Sequence, residues 1–403
     1  MIRKTRLFTP GPTPLLPAAM AAMAQSEIHH RTAEFRATYR QVLEDLHYFY
    51  NTRNDVLIFT SSGTGAMDAA VANLFSPGDA VLVATAGKFG ERWVEMTRAF
   101  GLAVDAVEAP YGEPVTPDAV RAKLREKSYA ALLFQASETS TGVAHDVRAF
   151  AAAAREHGAL TIVDAITGLG TMELDIDGWG LDVVIGGSQK ALAIPPGLAF
   201  SSVSAAALER SKHAKLPRFY FSYAKEKKAA DKGDASWTPS TALVLALAQA
   251  LKFVRELGRE KLIANATFLA EAARAGMRAM GLELFARSSP SNATTAVCAP
   301  AAARESKAGV RLDGVNGDSR MIIRALRERF GIIVANGQGS MEGKLFRLAH
   351  LGYYDYTELA GVLAALELVL ASLGHPVEMG AGVRAAQEVA AAKLEMHPAL
   401  VTQ

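Results

Sequence analysis

The sequence predicts an α/β protein in which a mostly parallel sheet is flanked by helices and followed by a smaller α+β unit. Short apolar or β-branched runs recur along the first half of the chain, and stretches rich in Ala, Glu and Arg separate them. This alternation is typical of a parallel sheet covered on both faces. From Thr241 onward a long helical run is followed by shorter mixed elements. The change of pattern indicates a second structural unit.

Six runs have the length and composition of buried strands. They are residues 56–59, 80–86, 130–136, 160–166, 182–188 and 198–204. Helices are expected over residues 118–126 and 147–157, between consecutive strands, and over residues 241–257. The lysine-rich segment 225–232 lacks apolar periodicity, so we expect an exposed loop there.

The length and these patterns divide the chain into four parts. A chain of 403 residues exceeds what a single core usually encloses. We expect an N-terminal arm over 1–15, a large domain over 16–258 and a small domain over 259–375. Residues 376–403 are expected to form an appended Ala-rich helix.

The composition indicates a small-molecule partner. Forty-three Lys and Arg stand against forty-one Asp and Glu, so no strong net charge points to nucleic acid or to an anionic membrane. Cys298 is the only cysteine, which excludes an intramolecular disulfide framework and a Cys-rich structural zinc site and fits a cytoplasmic protein. Prolines interrupt the first seventeen residues, and the longest apolar stretch, 242–251, is about half of the ~20 residues that a membrane span needs.

A glycine-rich segment follows the first predicted strand and precedes a helix. Residues 60–70 read Thr-Ser-Ser-Gly-Thr-Gly-Ala-Met-Asp-Ala-Ala. Free N–H groups at a helix N-terminus, together with the hydroxyls of Ser62 and Thr64, suit a phosphate dianion. A plain glycine-rich turn with a helix cap is the alternative.

Two further residues, Asp164 and Lys190, add a carboxylate and an amine to this phosphate-binding segment. Asp164 ends a hydrophobic strand, where a carboxylate can keep a heterocyclic nitrogen protonated, although it could equally cap the next turn. Lys190 lies among apolar and small residues just after another strand, where a depressed pKa would make it a nucleophile towards an aldehyde. A phosphate cradle, a strand-end Asp and such a lysine are together what pyridoxal phosphate requires.

The chain resembles a known family, the class V aminotransferases of fold type I that use pyridoxal phosphate. It is most similar to their alanine or serine:glyoxylate and serine:pyruvate branch. The resemblance runs from Thr9 to about Leu373. The matching motifs are Thr9-Pro-Gly-Pro-Thr13, His30-Arg-Thr32, Ser62-Gly-Thr-Gly65, Glu138-Thr-Ser-Thr-Gly142, Val163-Asp164, Gly187-Ser-Gln-Lys190, Pro195-Pro-Gly197, Thr238-Pro239, Gly337-Gln-Gly339 and Phe346-Arg-Leu348.

The resemblance implies a seven-stranded, mostly parallel sheet and a role for each matched residue. Lys190 would carry the cofactor as a Schiff base and move the substrate proton, and Asp164 would pair with the pyridine nitrogen. The remaining cofactor contacts would be Ser62, Gly63 and Thr64 on the phosphate, Gln189 and Thr139 on the phosphate or the ring oxygen, and Phe89 and Ile166 on the two ring faces. Thr64 and Phe89 stand where several relatives have histidine and tryptophan.

The resemblance also implies a homodimer with shared active sites, because Thr238 resembles a segment that the neighbouring subunit contributes. Arg347, with Gly11, would bind the α-carboxylate shared by the amino acid and the 2-oxo acid. A buried arginine needs an anionic partner, and an ion pair with Glu342 or Asp355 is the alternative. Small donors such as alanine and serine, with glyoxylate or pyruvate as acceptor, are expected.

Two other classes of function stay open. The same cofactor chemistry serves lyases, desulfurases and decarboxylases, although Cys298 falls in the strand-like run 294–299, far from Arg347 in sequence, and is more typical of buried structure. A noncatalytic subunit that keeps the fold as a scaffold would be expected to have a damaged site. Here Asp164, Gln189, Lys190 and Arg347 are all present.

Overall fold

The computed structural model describes residues 2–25, 28–300 and 317–396. Its strands are β1 Arg6–Phe8, β2 Asp55–Phe59, β3 Ala80–Thr85, β4 Ala103–Glu108, β5 Ala131–Gln135, β6 Ser137–Glu138, β7 Val143–Ala144, β8 Leu160–Asp164, β9 Val183–Gly187, β10 Ala199–Val203, β11 Thr294–Cys298, β12 Ile332–Asn336 and β13 Leu345–Ala349.

Helices lie between most of these strands. They are α1 Pro17–Met23, α2 Ala33–Tyr50, α3 Gly63–Leu74, α4 Lys88–Ala99, α5 Pro117–Leu124, α6 Val147–Glu156, α7 Ile176–Trp179, α8 Ala205–Ser211, α9 Tyr223–Ala230, α10 Thr241–Leu257, α11 Arg259–Ala279, α12 Ser319–Ala325, α13 Tyr356–Ser372 and α14 Ala381–Met396. A π-helical turn, Leu326–Phe330, continues α12, and a 3-10 turn covers Gly339–Met341.

Seven strands form the large sheet, in the order β2-β10-β9-β8-β5-β3-β4. Strand β10 is antiparallel to both of its neighbours, β2 and β9, and the other strand pairs are parallel. The predicted mostly parallel α/β sheet is therefore confirmed. Six of its strands are the six apolar runs, and β4 is the strand that the apolar pattern does not mark.

The topology brings the predicted chemical residues to one edge of this sheet. Strand β8 lies between β5 and β9 at the centre, and Asp164 is its last residue. Lys190 follows β9, the next strand in the sheet. Ligands of α/β proteins bind at the carboxyl ends of parallel strands, so Asp164 and Lys190 lie where a ligand is expected.

A second sheet has the order β1-β12-β13-β11. Strand β1, in the N-terminal arm, pairs in parallel with β12, and Phe8 stacks on Tyr354 with ring centroids 4.8 Å apart. The core against this sheet includes side chains of α11 and α13, whereas α10 packs in the core of the large sheet. These contacts show that the arm joins the smaller sheet, and the boundary at Gly258 stays a prediction.

The lysine-rich segment is helical, so the predicted loop over residues 225–232 is wrong. Helix α9 begins after Ser222, whose side chain accepts a hydrogen bond from the backbone N–H of Lys225. Tyr223 and Glu226, three residues apart, are buried on the same face of this helix. The helix cap and the narrow buried face thus stabilise a helix, although the run of lysines favours a solvated loop.

Helix α14 is the Ala-rich helix expected at the end of the chain, and residues 397–403 lie outside the described part. The buried carboxylate of Glu367 accepts from the backbone N–H groups of Gly380, Gly382 and Val383 around its start. Within the described residues, no helix is both long enough and apolar enough to cross a bilayer.

Candidate active site

The start of α3 has the properties of an anion site. Ser62 is the N-cap residue, but its side chain makes no capping hydrogen bond to the helix. A side chain at Gly63 would collide with Ile166. The first backbone N–H groups of a helix lack partners within it and lie at the positive end of its dipole. The sequence therefore leaves N–H groups and a hydroxyl available to a phosphate.

Asp164 is buried at the end of β8, with 6% of its surface exposed. Its Oδ1 atom accepts a 3.0 Å hydrogen bond from the N–H of Ile166, and no ion pair to it occurs among the described residues. Burial raises the pKa of Asp164 to about 6, while the Ile166 bond and the charges of Arg92 and Lys190 act in the opposite direction. A protonated ring nitrogen beside this carboxylate would restore its charged form.

Lys190 follows β9 and points towards the N-terminal arm. Its Nζ atom donates to the carbonyl of Pro10, and a side chain at Gly11 would collide with that Nζ atom. Burial lowers the pKa of Lys190 to about 8, opposed by the charge of Asp164 and assisted by Arg347 and Arg92. The lowered pKa leaves a larger fraction of this amine uncharged near neutral pH than in an ordinary lysine, and the uncharged form is the nucleophile.

Two adjoining cavities contain these groups. The first, of about 210 Å³, is lined by Gly11, Ser62, Gly63, Thr64, Phe89, Arg92, Ser137, Thr139, Asp164, Ile166, Thr167, Gln189 and Lys190. The second, of about 350 Å³, is lined by Leu7, Thr9, Pro10, Gly11, Pro12, Phe89, Thr139, Lys190, Ala335, Gln338 and Arg347. Lys190 and Phe89 line both cavities. Every site residue predicted from the sequence, Thr238 excepted, lines at least one of them.

Arg347 lies in the middle of β13 with only 4% of its surface exposed. Its Nε and Nη2 atoms donate to the carbonyl of Asn336 at 2.9 and 2.7 Å, and Nη1 donates to the carbonyl of Thr139 at 2.9 Å. It makes no ion pair with Glu342 or Asp355, and Asp355 instead caps α13. Neutral carbonyls therefore fix the guanidinium and leave its charge available to a ligand.

Thr238 is exposed and does not line the cavities of its own chain. Stacked aromatic side chains lie beside it, with the rings of Tyr220 and Trp237 5.6 Å apart. The resemblance assigns Thr238 to the site of a neighbouring subunit, and its exposed position is compatible with that prediction.

Arg92 is a site residue that the sequence reasoning missed. Its Nη1 atom donates to Thr64 Oγ1 at 3.1 Å, and its guanidinium lies over the ring of Phe89 at 4.9 Å. Arg92 is three residues after Phe89 in α4, a spacing that places both on one helix face. The three-residue spacing from Phe89 is the sequence signal that could have identified Arg92 as a site residue.

The residues present fit pyridoxal phosphate. The amide oxygen of Gln189 is buried without a hydrogen-bond partner among the described residues, and the Ser62 hydroxyl makes no cap bond. Around these groups lie a helix N-terminus, an aromatic ring, a buried carboxylate and an amine of lowered pKa. Groups able to bind a phosphate, pack on a ring and react with an aldehyde therefore line one cavity, as pyridoxal phosphate requires.

Comparison with known proteins gives the family. The sequence matches the family described as Aminotransferase class-V over residues 16–350, so this chain belongs to the class-V aminotransferases, enzymes that depend on pyridoxal phosphate. The chain has the fold of the fold type I members, as its structural similarity to solved aminotransferases shows.

Relatives similar along nearly the whole chain carry different names. A protein of Anabaena cylindrica named soluble hydrogenase 42 kDa subunit is 42% identical over 96% of this chain and 98% of its own length. The serine–glyoxylate aminotransferase of Arabidopsis thaliana is 31% identical over 94% of each chain. Among solved structures, the ureidoglycine–glyoxylate aminotransferase of Bacillus subtilis superposes with a TM-score of 0.89 at 26% identity, covering 97% of this chain and 99% of its own.

Proposed function

We propose that this enzyme transfers the amino group of a small amino acid, alanine or serine, to glyoxylate or pyruvate. We further propose that it acts as a cytoplasmic homodimer whose subunits share active sites. The amino-acid and 2-oxo-acid classes follow from the family. The choice of donor and acceptor rests on the second cavity.

The observation that carries the proposal is the position of Arg347. Its guanidinium is held by two backbone carbonyls and lines the same cavity as Lys190. Guanidinium binds a carboxylate in a planar, bidentate manner. A substrate whose α-carboxylate binds Arg347 would present its amino group or carbonyl carbon within the cavity that also contains Lys190. Arg347 thus binds and orients the group common to both substrates.

The first cavity supplies the cofactor contacts of the proposal. Ser62, Gly63 and Thr64 at the start of α3 would bind the phosphate, with Gln189 and Thr139 bonded to the phosphate or the ring oxygen. Phe89 and Ile166 would pack on the two ring faces. When bound, pyridoxal phosphate supplies a protonated ring that stabilises negative charge at the α-carbon of the substrate.

Asp164 and Lys190 would hold and transfer the protons of the reaction. Asp164 would hold a proton on the ring nitrogen, since a buried carboxylate without another ion partner favours a cation next to it. Lys190, once displaced by the donor amine, would take the proton from the α-carbon and return it on the cofactor side. Its pKa of about 8 suits both roles near neutral pH.

The lining of the second cavity supports a small donor. Apolar side chains and prolines of the arm, Leu7, Pro10 and Pro12, form one wall. Arg347 and Lys190 are the basic residues of this lining. A donor with a second carboxylate, such as glutamate or aspartate, would place that charge against apolar surface at a cost. Short uncharged side chains avoid this cost.

A panel of donors and acceptors tests the proposal. Purified protein loaded with pyridoxal phosphate is assayed with alanine, serine, aspartate and glutamate against glyoxylate, pyruvate and 2-oxoglutarate. We expect alanine or serine with glyoxylate or pyruvate to have the highest kcat/KM. A higher kcat/KM for glutamate or aspartate would contradict the small-donor assignment.

Another reaction of the same cofactor is the first alternative. Cys298, which a desulfurase reaction would need near the substrate, lies in β11 opposite Leu345 and does not line either cavity. Without an acceptor, an aminotransferase should stop after one equivalent of serine per active site. Continued release of ammonia or carbon dioxide would favour a lyase or a decarboxylase.

A scaffold role is the second alternative, because the relative from Anabaena cylindrica is named as a hydrogenase subunit. The chemical groups of the present site argue against this role, since Asp164 and Arg347 are buried and each lines a cavity that Lys190 also lines. Absence of amino transfer with every donor, together with stable association with a larger enzyme, would support it instead.

A further inference from the structure

Glu138 is a buried carboxyl group that lies next to the site residues Phe89 and Thr139, and the proposed reaction leaves it without a role. It ends β6 and has 0% of its surface exposed. No Lys or Arg pairs with it among the described residues. A buried carboxylate without a counter-ion is costly unless several donors bind it, so the identity of its donors indicates what it does.

Two of the four donors that bind Glu138 come from the segment that carries Phe89, and the other two come from Ser140. Oε2 accepts from the backbone N–H groups of Phe89 at 3.1 Å and Gly90 at 3.0 Å. Oε1 accepts from the N–H and the hydroxyl of Ser140 at 3.1 and 2.5 Å, and that hydroxyl in turn accepts from the N–H of Lys88 at 3.0 Å. Glu138 and Ser140 together bind three consecutive N–H groups in the first turn of α4.

Helix α4 has no cap of its own. Its N-cap residue is Gly87, which has no side chain, and a Cβ atom there would collide with Ser140 and crowd Glu138. The unpaired N–H groups of a helix start need acceptors. Here the acceptors come from the end of β6 and the loop after it instead of from the helix, so the position of α4 depends on that segment.

The same loop contacts Arg347. Thr139, directly after Glu138, accepts from Nη1 of Arg347 through its carbonyl at 2.9 Å. The charge of Glu138 also raises the pKa of Arg347, against the lowering by burial. The segment 138–140 therefore contacts both the first turn of α4, which carries Phe89, and the guanidinium of Arg347.

We propose that Glu138 is a positioning residue, whose buried carboxylate holds Phe89 against the cofactor ring and keeps the Thr139 carbonyl in place for Arg347. The part that concerns Arg347 rests on the proposed function, whereas the part that concerns Phe89 does not. Glu138 touches neither substrate nor cofactor in this arrangement. It acts through the two residues that do.

The variant Glu138→Gln tests this proposal with almost no change in shape. An amide has one accepting oxygen, so its NH₂ group must face either the N–H groups of Phe89 and Gly90 or the N–H of Ser140. One set of bonds is lost in each orientation. We expect the dissociation constant for pyridoxal phosphate, titrated into the cofactor-free protein, to rise about tenfold, as expected for the loss of one or two charge-assisted hydrogen bonds.

Glu367→Gln is the matched control. Glu367 is also a buried carboxylate, 3% exposed, that accepts three backbone N–H groups near the start of a helix, but this helix is α14 and lies away from both cavities. We expect it to lower the melting temperature to a similar extent and to leave cofactor affinity unchanged. The near-ultraviolet and visible circular dichroism of the bound cofactor should change in Glu138→Gln alone.

A second variant keeps the proposal testable if Glu138→Gln does not fold. Ser140→Ala removes one donor to Glu138 and the acceptor of the Lys88 N–H but leaves the carboxylate in place, and we expect a smaller loss of cofactor affinity with the same spectral change. Wild-type cofactor affinity and an unchanged spectrum in whichever of these variants folds would overturn the proposal. Because these readouts need no amino donor, an incorrect donor assignment leaves them unaffected.

Discussion

Arg347 of the smaller sheet is bonded directly to Thr139, since its Nη1 atom in β13 donates a 2.9 Å hydrogen bond to the Thr139 carbonyl in the loop after β6. Thr139 lines both cavities. The residue proposed to bind the substrate carboxylate is therefore fixed directly against the cofactor cavity. Displacement of either group should affect substrate binding before it affects the fold.

Truncation of Arg347 should separate substrate binding from stability. Arg347→Ala should keep the cofactor and lower kcat/KM by about 2–4 kcal/mol, as expected when a buried charge pair loses one partner. Arg347→Lys should also be damaging, because an ammonium cannot copy the bidentate geometry. Steady-state kinetics and thermal unfolding measure the two effects.

Arg274→Ala provides the control for that experiment, because Arg274 is a partly buried arginine that also donates to a carbonyl, that of Ser291. It lines neither cavity, so kcat/KM should stay near the wild-type value. An Arg347→Ala enzyme with unchanged kcat/KM and a lowered melting temperature would show a structural arginine instead.

A methyl group at Gly11 should block the attachment of the cofactor. Gly11 has φ of +126°, and a Cβ atom would collide with Nζ of Lys190. Gly78→Ala is the matched control, since Gly78 also has positive φ, +84°, but has no atom within 4 Å of such a Cβ. Both variants should lose about 1–2 kcal/mol of stability from backbone strain. Covalent cofactor content should fall in Gly11→Ala alone, and an equal content in both would contradict the contact.

The reactivity of Lys190 should rise with pH around pH 8. The amine attacks an aldehyde only in its neutral form, which predominates above the pKa of about 8 that burial produces. The rate at which cofactor-free protein captures pyridoxal phosphate should therefore increase through this pH and level off above it. Removal of the Asp164 charge in Asp164→Asn should move the midpoint down, and removal of the Arg347 charge in Arg347→Ala should move it up. Shifts in the same direction would contradict this electrostatic account.

Subunit mixing tests the proposed sharing of active sites. Lys190→Ala homodimers lack the lysine, and Thr238→Ala homodimers should bind cofactor weakly. If Thr238 serves the neighbouring subunit, a mixed dimer contains one site with both Lys190 and Thr238 intact, so activity at limiting cofactor should recover after exchange. If Thr238 serves its own chain, no intact site forms. No recovery in verified mixed dimers would refute the sharing.

The parts of the fold that the sequence predicts are those with strong local patterns. The central strands are continuous apolar runs because both faces are buried, and α10 was expected over its full range. Strand β4 escaped prediction because it is an edge strand with a partly exposed surface and an Asp in its middle, so its composition is that of a loop. Pairing of β1 with β12 joins Arg6–Phe8 to Ile332–Val334, which are far apart in sequence, and no local pattern encodes such a contact.

In the candidate site, too, the residues in local motifs were predicted, whereas those that depend on tertiary contacts were not. Lys190, Asp164 and the glycine-rich turn carry local motifs, and they lie together in the cavity. Arg92 was missed because the sequence of its helix is typical of a solvent-exposed surface. Only the tertiary structure brings this face of the helix against Thr64. The role of Glu138 depends on which N–H groups approach its carboxylate. Such contacts between distant segments come from the tertiary structure.

Reduction of the cofactor-loaded protein with borohydride, followed by peptide mapping, tests whether Lys190 is the residue that carries the cofactor. We expect one covalent pyridoxyl adduct per chain, on the peptide that contains Lys190, and none in Lys190→Ala protein, which should still bind the cofactor without a covalent bond. An adduct on another lysine, or a Lys190 peptide that stays unmodified after reduction, would contradict the assignment of Lys190 as the cofactor-binding residue.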